Sequence, residues 1–105
     1  MNDSLDRGFL ALAHPVRRAI VERLADGPLP VGEAAAGLGV SKPAVTKHVR
    51  MLEQAGIVRR AVSGRVHHLS LEPAPLAGVI RWMARQEAQW ARRLDVVDDF
   101  LRERL

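Results

Sequence analysis

Lys42, Pro43, Thr46, Lys47 and Arg50 stand at positions that a single helix would line up along one side. Three of them are cations and none is an anion. Ammonium and guanidinium groups pair with phosphate oxygens, and short polar side chains near a helix start can meet base edges. A helix that enters the major groove of DNA with its N-terminus first needs this arrangement. A helix face that only meets water could be equally basic, so the flanking segments must decide between the two.

Those segments define a capped helix. Ser41 is a good N-cap, because its hydroxyl can accept from a free first-turn amide. Pro43 lies in the first turn, where a missing N–H costs nothing. Gly56 closes the helix, since glycine takes the left-handed conformation without a Cβ clash. Val45, Val49, Leu52 and Ala55 recur at helical spacing and form its buried stripe. Upstream, Gly32 to Leu38 is rich in alanine and reads as a short helix that Gly39 stops. Two helices about a short glycine-bearing turn, here over residues 32–56, are the sequence sign of a helix-turn-helix.

Residues 57–71 then change period. Ile57 to Val62 reads as extended, Ser63-Gly64 is a hairpin turn signal, and Val66 to Leu71 alternates. Two strands after a recognition helix make a wing. Arg59, Arg60, Arg65 and His67 lie along it or at its tip, in reach of backbone or the adjacent minor groove, where arginine is favoured. A plain surface hairpin with solvated arginines is the other reading. The charge distribution bears on that choice. The net charge is +4. Residues 41–70 hold Lys42, Lys47, Arg50, Arg59, Arg60 and Arg65 against Glu53 alone. The stretches on either side are close to neutral, so the positive excess is local, as a polyanion partner requires.

The flanks of the chain read as helices. Leu5, Phe9, Leu12 and Ala13 share a helical face over 5–13, and His14-Pro15 breaks it. Pro15 can open a second helix, with Val16, Ala19, Ile20, Val21 and Leu24 on its apolar side. His14 fits a cap or hydrogen bond at that junction, and His48 fits packing near the recognition helix. Asp26-Gly27-Pro28 is a turn, and Leu29-Pro30-Val31 is briefly extended. A last long helix spans 74–104. Its apolar positions Leu76, Ile80, Met83, Trp90, Leu94, Val97 and Leu101 alternate steps of four and three, with Glu87 the one polar interruption. This is a heptad seam. Val79, Trp82, Val96 and Phe100 lie off it. So much apolar surface on one helix predicts pairing with a second copy of the chain, Leu5 and Phe9 joining the interface. An intrachain bundle is the competing use.

The chain has 105 residues, enough for one domain of modest core. About half of it is hydrophobic and only 4% aromatic, which suits a helical fold. The expected fold is mainly α with a small β-hairpin: a winged helix-turn-helix whose N- and C-terminal helices form a dimer interface. There is no cysteine, so disulfides and thiolate metal sites are excluded. His67 and His68 are strand neighbours that point apart, and no metal ligand set or cofactor is expected. Met1-Asn2-Asp3-Ser4 lacks a leader's basic start and no apolar run is membrane-length, so a soluble cytoplasmic protein is expected. No nucleophile–base pair, phosphate loop or paired carboxylates point to an enzyme. A winged helix that binds another protein through the terminal helix is the alternative, although it would not need the basic patch.

Three segments together resemble a known family. They are Ala13-His14-Pro15-Val16-Arg17-Arg18-Ala19-Ile20, Ser41-Lys42-Pro43-Ala44-Val45-Thr46-Lys47-His48-Val49, and Leu52-Glu53-Gln54-Ala55-Gly56-Ile57-Val58. The order and motifs resemble the ArsR/SmtB-like winged-helix repressors of bacteria. The resemblance implies a homodimeric regulator on double-stranded DNA, usually a repressor at an inverted-repeat operator. It implies that Lys42, Pro43, Thr46 and Lys47 face the bases and Arg50 a phosphate. Metal-sensing members carry a cysteine pair where this chain has Glu33-Ala34-Ala35-Ala36. The resemblance is therefore to the branch without that metal box, and leaves any small-molecule effector unnamed.

Overall fold

A computed structural model describes residues 3–104. Met1 and Asn2, part of the N-terminal tetrapeptide read above, and Leu105 lie outside them. The elements run α1 (Asp3–Leu12), α2 (Pro15–Leu24), β1 (Leu29–Pro30), α3 (Val31–Ala34), α4 (Lys42–Gln54), β2 (Val58–Ser63), β3 (Val66–Leu71) and α5 (Pro73–Arg104).

Local chemistry sets most of these boundaries. His14 is extended (φ −136°, ψ 133°), and its ring Nδ1 accepts from the Val16 N–H at 3.1 Å, so it caps α2. Ser41 caps α4, its Oγ accepting from the Ala44 N–H at 3.3 Å. Gly56 takes φ +72° beyond the end of α4. The Ile57 N–H then reaches the Leu52 carbonyl and the Gly56 N–H the Glu53 carbonyl, at 3.1 and 2.9 Å. This is the Schellman closure, which satisfies carbonyls that the helix leaves open. It also turns Ile57 inward, where it is fully buried.

The core lies where α1, α2, α4 and the sheet meet. Ile20, Leu52, Ile57 and Leu69 are sealed from solvent there, with Val49, Ala11 and Ala34 beside them. Val45 packs against this cluster, so the stripe read from α4 faces inward as expected.

The expected hairpin is present within a three-stranded antiparallel sheet in the order β1-β3-β2, and two finer expectations are corrected. Leu29 and Pro30 pair with Leu69 and His68, because β3 has a second edge for them. Proline is tolerated there, as β1 is an edge strand. The third helix is shorter than Gly32–Leu38: it spans Val31–Ala34 and gives way to tight turns, with Gly37 and Gly39 at φ +73° and +71°. Positive φ cannot continue a right-handed helix. In the wing, Ser63 pairs with Val66, so the two-residue turn is Gly64-Arg65. Gly64 alone there has positive φ (+62°), the II′ arrangement that matches strand twist.

The long terminal helix corrects the seam as well. Its first turns pack on the chain itself through Leu76, which joins the core, and Val79, which is buried. A Cβ on Gly8 would come within 2.9 Å of Val79 Cγ2, so α1 approaches α5 as closely as it does because that residue has no side chain. Trp82 stacks edge-on against Phe9, centroids 5.3 Å apart. The intrachain face thus uses Leu76 of the seam together with Val79 and Trp82 off it. At 32 residues α5 is about 48 Å long. The described chain measures 68 × 28 × 24 Å, so the helix runs well past its own domain.

Candidate nucleic-acid interface

The N-cap at Ser41 fixes where α4 begins, and the core contacts of Val49 and Leu52 fix which side is outward. Lys42, Pro43, Thr46, Lys47 and Arg50 are all exposed on that outward side. No acidic residue occupies the first turn of α4. Its free N–H groups and helix dipole add to the positive field at the same end. Ser41 is exposed too, with its oxygen engaged by the Ala44 N–H. The Thr46 hydroxyl donates to the Lys42 carbonyl at 3.1 Å. Its hydrogen is therefore in use, and Thr46 presents an acceptor oxygen and a methyl group outward.

The wing residues divide into two groups. Arg65 sits exposed at the turn, at the far end of the hairpin. Arg59 is exposed and pairs through Nε with Glu72 at 3.2 Å. A surface pair of this kind is worth no more than about 1 kcal/mol, so a phosphate could displace the carboxylate.

Arg60 and His67 lie on the other face of the ribbon, that of Val58, Leu69 and Leu71. Arg60 reaches both carboxylate oxygens of Glu53, Nη2 at 2.7 Å and Nε at 3.4 Å. Its Nη1 lies 3.1 Å from His67 Nδ1. Both Arg60 and Glu53 are largely covered. Arg60, read from the sequence as facing DNA, here ties the wing to the last turn of α4. Glu53, the sole acid of the basic segment, is its counter-ion.

The structure thus gathers Ser41, Lys42, Pro43, Thr46, Lys47 and Arg50 at one helix face, sets Arg65 and Arg59 along the ribbon, and turns Arg60 toward Glu53 with His67 beside it. Three polar side chains where α2 meets α4 were not read as a group from the sequence. The His14 and His48 rings lie 4.3 Å apart, and Arg17 Nη1 is 3.1 Å from His48 Nδ1. His14 and Arg17 stand in one quoted motif and His48 in another, but 31 residues separate Arg17 from His48. No local spacing rule joins them. Burial first, and then the charges of His14 and Arg17, hold the His48 pKa below its ordinary value. Among the described residues no group of three or more His, Cys, Asp or Glu side chains could hold a metal ion.

Comparison with known proteins bears on the whole arrangement. Residues 12–61 match the helix-turn-helix domain family. The chain is 49% identical over 76 residues to the HTH-type transcriptional regulator Rv2034 of Mycobacterium tuberculosis, covering 72% of this chain and 71% of that one. It is 32% identical over 75 residues to the transcriptional repressor SdpR of Bacillus subtilis, covering 71% and 83%. Among solved structures it is similar to the ArsR family transcriptional regulator RHA00566, with a TM-score of 0.78 and 37% identity over 85% of this chain and 98% of that one.

Proposed function

The chain belongs to the ArsR/SmtB family of helix-turn-helix transcriptional regulators, and from that membership we propose that it represses transcription as a homodimer on an inverted-repeat operator. The family membership makes it a DNA-binding regulator and not an enzyme. The operator, the dimer and the part played by each residue are our reading.

The observation that carries the reading is the outward face of α4, where Lys42, Lys47 and Arg50 are exposed around Thr46 with no acid in the first turn. In this reading the two α4 helices of a dimer enter successive major grooves, about 34 Å apart. Lys42, Lys47 and Arg50 bind phosphates or base edges, and Ser41 and Pro43 bring the helix start close to the backbone. Thr46 can accept from an adenine or cytosine amino group or lay its methyl on a thymine. Arg65 and Arg59 follow the flanking backbone, and Arg60 with His67 holds the wing at its angle. Dimerisation uses Ile80, Met83, Trp90, Leu94, Val97 and Leu101, all exposed on α5, with Leu5 and Phe9 of α1 at its edge. Without cysteine the chain has no thiolate to offer a metal effector, and a small-molecule effector is left unassigned.

The test is selection of bound duplexes from a randomised pool, followed by mobility shifts on the selected and a scrambled duplex. A palindromic selected site and a strong preference for it are expected. Thr46→Ala should reduce that preference by about 1–3 kcal/mol, the scale of one base contact. Equal losses on both duplexes would remove Thr46 from base reading, and equal affinity of the wild type for both would overturn the proposal.

A further inference from the structure

α4 is braced by polar side chains at two points. Glu53 holds Arg60 at its last turn. Nearer its middle, His48 faces α2 and the end of α1. There Arg17 donates through Nε to the Ala11 carbonyl at 2.6 Å and through Nη2 to the Leu10 carbonyl at 3.1 Å. Those are among the last carbonyls of α1, which have no partner inside that helix. The third arm, Nη1, reaches His48 Nδ1 at 3.1 Å. One rigid planar fork therefore joins the end of α1 to the middle of α4. A lysine, a single point charge on a flexible stem, could not do the same.

The chemistry of the pair fixes the state of the ring. Guanidinium has donors only, so His48 Nδ1 must accept, with the ring uncharged and its proton on Nε2. The groups around it are uniformly unfriendly to a second charge. His14, held by the Val16 N–H, lies across from it at 4.3 Å. Arg17 of α2 and Lys47 and Arg50 of α4 line a shared groove with Met51 and Gln54. Arg7 of α1 lines the next groove along the same helix. No carboxylate lines either groove among the described residues.

We propose that Arg17 and His48 are positioning residues: their hydrogen bond sets the angle of the recognition helix against α1, and a proton on His48 releases it. The proposal rests on the functional reading above, in which α1 stands with α5 at the dimer contact. A strut between α1 and α4 then fixes the distance between the two recognition helices of a dimer. The sign follows from the His48 environment, which favours the neutral ring through burial first and the neighbouring charges second. The strut is complete above the ordinary histidine range, about pH 6.5. It is lost as pH falls from there through the lowered value in the folded chain. Specific binding should weaken on acidification, while attraction to any duplex should grow with added positive charge.

The experiment measures the ratio of affinities for the selected and scrambled duplexes at constant ionic strength, at about pH 7.5 and at a pH about one unit below the His48 midpoint found by NMR. For the wild type the ratio should fall roughly tenfold, the scale of one hydrogen bond to a charged group. In His48→Asn an amide oxygen stands near the Nδ1 position and does not titrate, so the ratio should stay high at both pH values. In Arg17→Ala it should be low at both. Ring-nitrogen NMR supplies a readout without DNA: His48 should be the Nε2–H tautomer at neutral pH, and its titration midpoint should rise in Arg17→Ala. A flat wild-type ratio, the same fall in His48→Asn, or an unmoved midpoint would each overturn the proposal. A wild type with no preference at either pH would instead overturn the functional reading, which the NMR titration does not depend on.

Discussion

Ile20, Leu52, Ile57 and Leu69 in the winged body are fully buried, whereas Trp90, Leu94, Val97 and Leu101 in the far part of α5 are each more than half exposed. The two regions use similar side chains and the same backbone rules. They differ in what lies opposite. Up to Trp82, α5 has α1 to pack on, with Gly8 making room for Val79 and Phe9 meeting Trp82. Beyond that point little among the described residues covers the helix. Local contacts there are small: Asp98 pairs with Arg102 at 2.9 Å one turn on, and Arg93 and Arg104 lie over the rings of Trp90 and Phe100. Pairs of the first kind contribute only tenths of a kcal/mol. The comparison teaches that the body is closed by its own contacts, while the distal helix presents an apolar face that the described residues leave uncovered.

The sharpest way to break that contrast is to charge the distal face. Leu94→Asp with Val97→Asp should leave a monomer by light scattering. Operator affinity should drop roughly 10²- to 10⁴-fold, because two linked recognition helices become one. A dimer that survives both charges would put the interface elsewhere. Next in size is a cavity in the body. Leu52→Ala should cost about 2–5 kcal/mol in urea unfolding, since Leu52 is fully enclosed. The cost should be the same in the charged double variant, because separate regions add. A cost that vanishes there would mean that the body needs its partner to fold. The smallest effect is expected at the wing. Arg65→Ala should weaken all duplexes alike and reduce the salt dependence by about one counterion, without touching oligomeric state. A loss confined to the selected duplex would make Arg65 a base reader.

Much of the site was legible because it is written in short-range chemistry. Ser41, Pro43 and Gly56 bound α4 through caps that need only neighbouring residues, and the helical period of Val45, Val49 and Leu52 dictates which side faces out. His14 capping α2 follows from the same kind of rule. The wing residues were only partly legible. A strand alternates its faces, so Arg59 and Arg60 must point apart, but alternation does not say which face meets Glu53. The third strand was missed as a strand because two residues have no pattern until a partner edge is present. The seam of α5 was legible as apolar, yet its inward turn at Val79 depends on Gly8, which lies in another helix.

The sequence by itself determined most of the elements, the outward basic face of α4, and an excess of apolar surface on α5, since caps, periodicity and charge act within a few residues of one another. Tertiary structure alone decided which arginines are free. It bound Arg60 to Glu53 and joined Arg17 to His48 across 31 residues. A charged side chain's role depends on the counterpart that folding brings within about 3–3.5 Å, the reach of a hydrogen bond.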